Sequence, residues 1–387
     1  MHKLKNIEKA AERIRQAVAN NERIILYGDS DLDGISSVVI LEEAIKSLGG
    51  HIDCAFFSDR EKDGYGINPK ALDMLKSKAS ALFITLDLGI GNIKEVEIAN
   101  KMGFEVLIID HHETLFGIPE ASIIVDPKQP SDSYPFKGLA NVGITYNLCL
   151  ELLGEKISPS LNNSFCELAA LGTIADMVPQ TDQNQKIIEC GLRSLKNTFR
   201  PALRAFLDIL GKGNVFDSPP AGGLLKVISA LNAAESVDFK NESYVLLTNP
   251  DIEKCKQAVQ TLLDKNFDKQ MQIKNIVQEV ERRMIQKPDS EVIFEGDPAW
   301  KLTLAGAAAS IICNKYIKPA FIFKKMDKES CGSVRNPKGT NSVDAMKSCD
   351  KFLITYGGHA QASGFRLKND HLKNFEECLN DFFRGQK

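Results

Sequence analysis

The chain has 387 residues, a formal net charge of −3 and 43% hydrophobic residues. These values predict a globular protein of two or three domains and exclude a disordered chain. The net charge is too small to attract nucleic acid by itself. The nine cysteines form no CxxC pair, no secretory signal is found, and the apolar stretch 302–313 is shorter than the roughly 20 residues of a membrane helix. We therefore expect a cytoplasmic protein with reduced thiols and no membrane span.

The first half of the chain alternates between apolar runs that predict buried strands and spacings that predict helices. In chain order these are a helix at 7–19, a strand at 23–28, a helix at 35–48, a strand at 52–57, a helix at 69–77, a strand at 82–86, a helix at 92–102, strands at 104–109 and 122–125, and helices at 139–153 and 161–174. Repeated strand, helix and strand units predict an α/β fold on a parallel sheet.

Acidic residues and histidines stand directly after these predicted elements. They are Asp29, Asp31, Asp33, Asp87, Asp110, His111, His112 and Asp176. On its own, the first group is explained equally well as a solvated turn that caps a helix. Its recurrence at the ends of successive strands favours a shared site, because the carboxyl ends of parallel strands meet at one edge of a sheet.

Carboxylates and imidazoles in this number can hold two divalent cations. The mixture of oxygen and nitrogen ligands favours Mn²⁺, with Mg²⁺ as the alternative. Two ions about 3.5–4 Å apart can share and activate a water molecule, which predicts phosphoester hydrolysis without a covalent enzyme intermediate. His111 and His112 point in opposite directions in an extended segment, so one is expected to bind metal and the other to face the substrate.

The second half of the chain predicts a helical region and a further α/β domain. Residues 250–286 contain no glycine and no proline after Pro250, which predicts a long helix. Strands are predicted at 291–295, 320–324 and 330–334, a helix at 303–315, and a glycine-rich turn at 356–359. The predicted domains are 1–197, a helical connector at 198–286, and a smaller α/β domain at 287–387.

The ordered motifs resemble those of the DHH phosphoesterase superfamily, and most of all its RecJ-like branch of single-strand nucleases. The matching segments are Gly28–Gly34, Arg60 with Gly64–Gly66, Asp87–Ile90, Asp110–His112, Asp126–Pro130, Gly172–Pro179 and Gly357–His359. The resemblance covers nearly the whole chain. It implies a DHH catalytic domain at 1–197 and a DHH-associated substrate-binding domain at 287–387.

Ligand roles follow from the resemblance residue by residue. One ion would be held by Asp31 and Asp87 with help from Asp29, and the second by Asp33, Asp87, His111 and Asp176. Asp87 would bridge the two ions. His112 would contact the scissile phosphate, and Asp110 would orient the metal-binding imidazole.

Substrate contacts are implied for Arg60 and for four residues of the C-terminal domain. Those four are Arg335, Gly357, Gly358 and His359. Glycine lets the backbone approach a phosphate closely, and an arginine fork suits a phosphate better than an ammonium does. Without the resemblance, a hairpin turn and a surface ion pair explain the same residues.

Three features depart from the family pattern. Tyr27 stands where many relatives carry a metal-binding histidine, which predicts that the first metal is bound more weakly or relies on Asp29 and argues against a family-II inorganic pyrophosphatase. Glu235-Ser236 stands where a Gly-Arg pair is usual. The additional OB-fold region of full-length bacterial RecJ is also expected to be missing.

The resemblance implies a metal-dependent phosphodiesterase, in first place a minimal 5′-to-3′ single-stranded-DNA exonuclease acting in DNA repair. For such an enzyme the resemblance implies a single-strand-binding protein or a helicase as a possible partner. The alternative is a nanoRNase-like oligonucleotide phosphodiesterase that degrades short DNA or RNA. A non-catalytic replication or repair scaffold is a third interpretation, which the retained ligand residues disfavour.

Overall fold

The computed structural model describes residues 3–114, 117–130, 132–216 and 222–385. It divides into two compact units with their boundary between Asn266 and Phe267. Among the described residues, no helix combines the length with the hydropathy that a bilayer span requires.

A five-stranded parallel sheet forms the centre of the N-terminal unit. Its strands are β1 (Arg23–Gly28), β2 (Cys54–Phe57), β3 (Ala81–Leu86), β4 (Glu105–Ile109) and β5 (Ile123–Val125), in the order β2-β1-β3-β4-β5. Every neighbouring pair is parallel, as predicted. The carboxyl ends of β1, β3 and β4 therefore lie side by side, and each is followed by candidate ligands.

Helices cover both faces of this sheet because its central strands are apolar on both sides. In chain order the α-helices of this unit before the long helix described below are α1 (Ile7–Ala19), α2 (Leu32–Ser47), α3 (Pro69–Leu75), α4 (Ile93–Lys101), α5 (Asn141–Leu153), α6 (Pro159–Ala175), α7 (Asp182–Leu195), α8 (Pro201–Leu210), α9 (Lys212–Phe216), α10 (Gly222–Leu231) and α11 (Glu242–Leu247). Leu26 and Ile84 face the core shared with α1, α2 and α5, whereas Ile25 and Phe83 face the core shared with α3 and α4.

The domain boundaries of the structure differ from the predicted ones. Helices α8, α10 and α11, placed by prediction in a connector at 198–286, bury Phe206, Leu231 and Leu246 in the same core as α2. A short hairpin of β6 (Ser236–Val237) and β7 (Lys240–Asn241) lies between α10 and α11 in the chain. The region up to Asn266 thus belongs to the N-terminal unit.

The predicted long helix is present as α12 (Ile252–Met284), and it runs across the boundary between the units. Its first half buries Cys255, Val259 and Leu262 in the N-terminal core. Its second half buries Ile273, Ile276 and Val280 in the C-terminal core.

The C-terminal unit contains a second five-stranded sheet, in the order β11-β12-β10-β9-β8. Its elements are β8 (Ile293–Asp297), α13 (Leu302–Tyr316), β9 (Ala320–Lys325), β10 (Glu329–Arg335), α14 (Ser342–Ser348), β11 (Leu353–Gly358), β12 (Ala362–Lys368) and α15 (Leu372–Arg384). Strands β8 and β9 are parallel and the other pairs are antiparallel. Helix α13 and the second half of α12 pack on one face, and α14 and α15 on the other.

The predicted glycine-rich turn is in part a strand. Gly357 pairs with Gly364 and Gly358 pairs with Ser363, so the turn itself begins at His359, whose N–H donates to the Ala362 carbonyl (2.7 Å). The strands β11 and β12 escaped prediction because glycine is depleted in strands.

The expectation of nine reduced thiols is wrong for one pair. Cys349 at the end of α14 and Cys378 in α15 form a disulfide, with their Cα atoms 6.1 Å apart. Helices packed side by side bring them together over 29 residues of sequence, a proximity that spacing alone does not reveal.

Candidate metal centre

The segment after β1 makes a tight turn that gathers two of its three aspartates. A Cβ atom on Gly34 would lie 2.5 Å from the carbonyl oxygen of Asp29, so only glycine fits at this position. Asp31 caps α2, because its Oδ1 accepts a hydrogen bond from the Gly34 N–H (3.0 Å). Both Asp29 and Asp31 are thereby held at the carboxyl end of β1.

Asp33 lies in the first turn of α2 and is buried against the start of α5. Its two carboxylate oxygens accept hydrogen bonds from the backbone N–H groups of Asn141 (2.8 Å) and Val142 (2.7 Å). The N-terminus of α5 favours negative charge at this place. The backbone of a segment over 100 residues away therefore fixes the orientation of this carboxylate.

Asp87 follows β3 with a backbone φ of 65°, in the left-handed region. Such a conformation costs free energy in residues other than glycine and persists where the surrounding structure enforces it, as in active sites. Its side chain is buried, and Oδ1 lies 3.2 Å from His111 Nε2.

His111 is fixed in one tautomer. Its Nδ1 lies 3.0 Å from the Leu139 carbonyl oxygen, which can only accept, so Nδ1 carries a proton and donates. In the neutral ring Nε2 is then a lone-pair donor, 3.2 Å from Asp87 Oδ1 and 3.7 Å from Asp176 Oδ2. This is the arrangement of a metal-binding histidine, whose second nitrogen is held by a carbonyl or a carboxylate.

The residues present fit divalent cations. Asp87 Oδ1 and Asp176 Oδ2 are buried and accept no hydrogen bond from the described residues, although both face the ring of His111. Three sets of ligand atoms that include Asp87 each lie within 4.8 Å of one another. Two are the expected metal-ligand sets, Asp29, Asp31 and Asp87, and Asp33, Asp87 and His111; the third is Asp87, Asp110 and His112. Converging acceptor atoms of this kind need a cation or a proton between them.

The electrostatics of the carboxylates agree with this requirement. Burial, followed by the charges of neighbouring aspartates, raises the pKa of Asp33 and of Asp87 well above the ordinary range. Burial and the charge of Asp31 raise the pKa of Asp176 to about 7. Without metal, the site therefore holds protons that cations would displace.

We expect the metal-free protein to lose stability as pH rises. A carboxyl whose pKa is raised on folding binds more protons in the folded state, so the free energy of unfolding falls from the unfolded pKa near 4 upward. For Asp176 the fall should be complete above about pH 7. Thermal melts in EDTA from pH 4.5 to 8.5 should show a decrease on the order of a few kcal/mol, and added Mn²⁺ should restore more stability at pH 8 than at pH 5. A melting temperature in EDTA that rises with pH would contradict this.

His112 faces a different set of groups. Its Nδ1 lies 2.7 Å from Asp110 Oδ1 and 3.1 Å from the hydroxyl of Tyr65. Burial alone would lower the pKa of His112, but the charge and hydrogen bond of Asp110 raise it. Asp110 thus orients His112, whereas a backbone carbonyl, that of Leu139, orients His111. The resemblance had assigned Asp110 to the metal-binding ring.

Arg60 lies on the first pair of aspartates. Its guanidinium donates to both oxygens of Asp29, through Nε at 2.8 Å to Oδ1, and to Asp31 Oδ2 at 2.9 Å. Burial raises the pKa of both carboxyls, and the charge of Arg60 lowers it. The net result is a raised pKa for Asp29 and a lowered pKa for Asp31, whose carboxylate also accepts the Gly34 hydrogen bond. In this structure Arg60 contacts both oxygens of Asp29 and one oxygen of Asp31, and the other oxygen of Asp31 accepts from the Gly34 N–H.

Tyr27, the position at which the resemblance implies a metal-binding histidine in many relatives, uses its hydroxyl within the fold. It is buried, and its hydroxyl bonds to Ser58 and accepts from the Asn68 N–H (3.0 Å). It anchors the loop that carries Arg60, and all its described contacts are structural.

Asn141 is a site residue that sequence reasoning missed. With its amide oriented so that donors meet acceptors, Nδ2 donates to the Ile109 carbonyl (3.0 Å) and Oδ1 accepts from the Asp87 N–H (2.9 Å). Its own N–H donates to Asp33. This one residue joins the ends of β3, β4 and α2, and a lone asparagine far from every motif gives no signal of that role.

We expect Asn141→Ala to weaken both the fold and the metal centre. The Asp87 N–H and the Ile109 carbonyl would lose their side-chain partner and keep the hydrogen bond to each other (3.0 Å), which should cost about 0.5–1.5 kcal/mol in urea unfolding with EDTA present. Calorimetric titration should also show weaker Mn²⁺ binding. Asn147→Ala, on the same helix, is the matched control and should keep wild-type metal affinity.

The C-terminal unit contains the remaining predicted residues. Arg335 ends β10 and donates to the Val334 carbonyl (2.9 Å); burial lowers its pKa, and no carboxylate of the described residues forms an ion pair with it. A buried cation of this kind is suited to an anionic ligand. Gly357, Gly358 and His359 lie at the end of β11, two strands away.

Each of the two units matches a known protein domain. Residues 23–173 match the DHH family N-terminal domain, and residues 289–385 match the DHHA1 domain. The chain is similar to the single-stranded-DNA-specific exonuclease RecJ of Bacillus subtilis (strain 168), with 32% identity over 382 residues, which cover 98% of this chain and 48% of that protein. The chain thus spans about half the length of this curated relative.

Solved structures show the same architecture. A crystal structure of exonuclease RecJ bound to manganese matches with a TM-score of 0.77 and 25% identity, over 99% of this chain and 95% of that one. RecJ from Thermus thermophilus in complex with Mn²⁺ matches with a TM-score of 0.80 and 24% identity, over 99% of this chain and 55% of that one. The α/β fold predicted from the sequence is thereby confirmed.

Proposed function

This chain belongs to the DHH family, and from that premise we propose that it is a metal-dependent phosphodiesterase that removes nucleotides from the 5′ end of single-stranded DNA. The observation that carries the proposal is the pair of ligand sets that share Asp87. A protein that kept only the fold would have no reason to hold His111 in the metal-binding tautomer.

Six side chains would serve the metal ions. Asp31 and Asp87, with Asp29, would hold one ion, and Asp33, Asp87, His111 and Asp176 the other. Bound divalent ions of this type lower the pKa of a water molecule and stabilise the charge on a phosphoryl group. Mn²⁺ is the favoured ion because an imidazole joins the carboxylates, and Mg²⁺ is the alternative.

The remaining residues of the N-terminal unit act on the substrate. His112, held by Asp110 and Tyr65, would present its Nε2 to the scissile phosphate. Arg60, which donates to Asp29 and Asp31 in this structure, would contact a phosphate of the strand when these two carboxylates hold a divalent ion. The Leu139 carbonyl and Asn141 keep His111 and Asp87 oriented throughout.

The C-terminal unit would hold the strand. Arg335 offers a guanidinium that no described carboxylate neutralises, and the glycines at 357 and 358 allow close approach of a phosphate. An enzyme of this kind would act in the cytoplasm, with a helicase or a single-strand-binding protein to supply its substrate.

Digestion of end-labelled strands tests the proposal. Single-stranded DNA and RNA, from two to about thirty nucleotides, would be labelled at either end and incubated with Mn²⁺, Mg²⁺ or EDTA. We expect stepwise loss of long DNA from the 5′ end, dependent on metal. Activity limited to the shortest oligomers would instead make it an oligonucleotide phosphodiesterase, and inactivity with every metal would favour a scaffold.

A further inference from the structure

Two cysteines of the N-terminal unit face each other between helices α6 and α7. Cys166 lies on α6 and Cys190 on α7, and their sulfur atoms are 3.0 Å apart. A disulfide bond is about 2.05 Å long, so the two sulfurs need to approach by only about 1 Å to be joined. Both are free thiols in this structure, and the pair is separate from the disulfide of the C-terminal unit.

Tight packing of the two helices brings these thiols together. Gly191 follows Cys190, and a Cβ atom on this glycine would overlap the Cys166 carbonyl oxygen and the Ala170 side chain. Only glycine therefore fits at the place where α7 meets α6. Because the two backbones already approach so closely here, little movement of the helices is needed to join the sulfurs.

Hydrogen bonds orient the two sulfur atoms. The Tyr146 hydroxyl donates to Asn162 Oδ1 (2.8 Å), and its oxygen accepts from the Cys166 thiol (3.2 Å). The Cys190 thiol in turn donates to the Cys166 sulfur (3.0 Å). A lone pair of Cys166 thus points at Cys190, and the Cys166 proton points away from Cys190 to an acceptor.

The two thiols differ in their access to solvent. Cys166 is 1% exposed, whereas Cys190 is partly exposed. Burial raises the pKa of Cys166 to about 12, and a thiol of this kind reacts poorly with an oxidant in solution. Cys190 is therefore the thiol that meets an oxidant first.

We propose that Cys166 and Cys190 form a disulfide when the protein meets a hydroperoxide. Oxygen transfer from hydrogen peroxide would convert the Cys190 thiol to a sulfenic acid and release one water. The Cys166 sulfur would then attack the Cys190 sulfur and form the S–S bond, while the displaced hydroxide takes up the Cys166 proton as a second water. The two thiols together lose two electrons and two protons, and the peroxide is reduced to water.

The position of the bond determines its effect on the protein. The segment that it closes, residues 166–190, includes Asp176, which directly follows α6. At about 1.5 Å per helical residue, Cys166 lies roughly 15 Å along α6 from Asp176, too far to contact the metal centre. A bond between residues that already touch stabilises the fold chiefly by restricting the unfolded chain. Oxidation should therefore stabilise the protein and leave the metal ligands in place.

Peptide mapping tests the site directly. The full chain is reduced with dithiothreitol, desalted, treated with hydrogen peroxide, alkylated with iodoacetamide and digested with trypsin without reductant. Cleavage after Lys156, Lys186 and Arg193 places the two cysteines on separate peptides, 157–186 and 187–193, each with a single cysteine. We expect these two peptides to appear joined, lighter than their sum by two hydrogens, and to separate again on reduction.

Melting temperatures test the effect on the fold. Cys190→Ser removes the bond, and Cys54→Ser removes instead a partly exposed thiol at the start of β2. After peroxide treatment, the wild type and Cys54→Ser should melt about 5–10 °C higher than Cys190→Ser. All three should melt alike in dithiothreitol. Calorimetric titration should show the same Mn²⁺ affinity for oxidised and reduced wild type.

Separate, alkylated peptides after peroxide treatment would overturn the proposal. A sulfinic acid at Cys190, or a bond from Cys190 to another cysteine, would overturn it equally, because either result means that Cys166 does not reach the oxidised sulfur. A joined pair without any rise in melting temperature would contradict the stabilising effect.

Discussion

Replacing Asp87 by asparagine should abolish hydrolysis and at the same time stabilise the metal-free protein. Both ligand sets include this carboxylate, so we expect activity to fall at least about a thousandfold. Asparagine tolerates the left-handed backbone of this position, which alanine does not, so the fold should persist.

The stabilisation follows from the raised pKa. Burial and the neighbouring carboxylates hold the pKa of Asp87 well above its usual range, so the wild type loses stability as pH rises from the unfolded pKa near 4 up to that raised pKa. Asparagine keeps the shape and has no proton to lose. In EDTA at pH 8, its melting temperature should exceed that of the wild type by several degrees, with no difference near pH 4.

Asp73→Asn is the matched control, since Asp73 is an exposed acid on α3. It should change neither activity nor melting temperature. An Asp87→Asn protein that retained a tenth of wild-type activity, or that melted lower than the wild type in EDTA at pH 8, would contradict the shared role of this carboxylate.

His112→Gln and His111→Gln should fail in different ways. His112 meets Asp110 and Tyr65, so its replacement should lower kcat by about 10²–10⁴ while leaving Mn²⁺ affinity within about twofold. His111 faces Asp87 and Asp176, so its replacement should weaken Mn²⁺ binding by about 10–100-fold.

Calorimetric titration beside single-turnover digestion separates the two effects. Saturating Mn²⁺ should recover part of the activity of His111→Gln and none of that of His112→Gln. If His112→Gln instead bound Mn²⁺ more weakly and regained activity in excess Mn²⁺, the result would contradict the assignment and make His112 the metal ligand.

The acids of this site could be predicted because each follows an apolar run. Buried strands such as 82–86 are unmistakable in sequence, and the residue after a parallel strand lies at the ligand edge of the sheet, which is where Asp87 stands. The pairing of acids within each ligand set came from the resemblance and stays a prediction.

What escaped prediction depends on contacts that carry no local signal. The group that orients His111 is the carbonyl of Leu139, and any residue type would supply one. Asn141 acts through a helix start that folds back onto two strand ends. The strands around Gly357 and Gly364 hold their place by cross-strand pairing although their composition disfavours strands.

The course of α12 limits how this protein can be dissected. A recombinant fragment cut to residues 289–385, the span of the DHHA1 match, would lack Ile273, Ile276 and Val280, which share a core with Ile312 and Trp300. The apolar surface of α13 would then face water, and such a fragment would tend to aggregate. Expression of this unit alone should therefore start upstream of Ile273, inside the helix rather than after it.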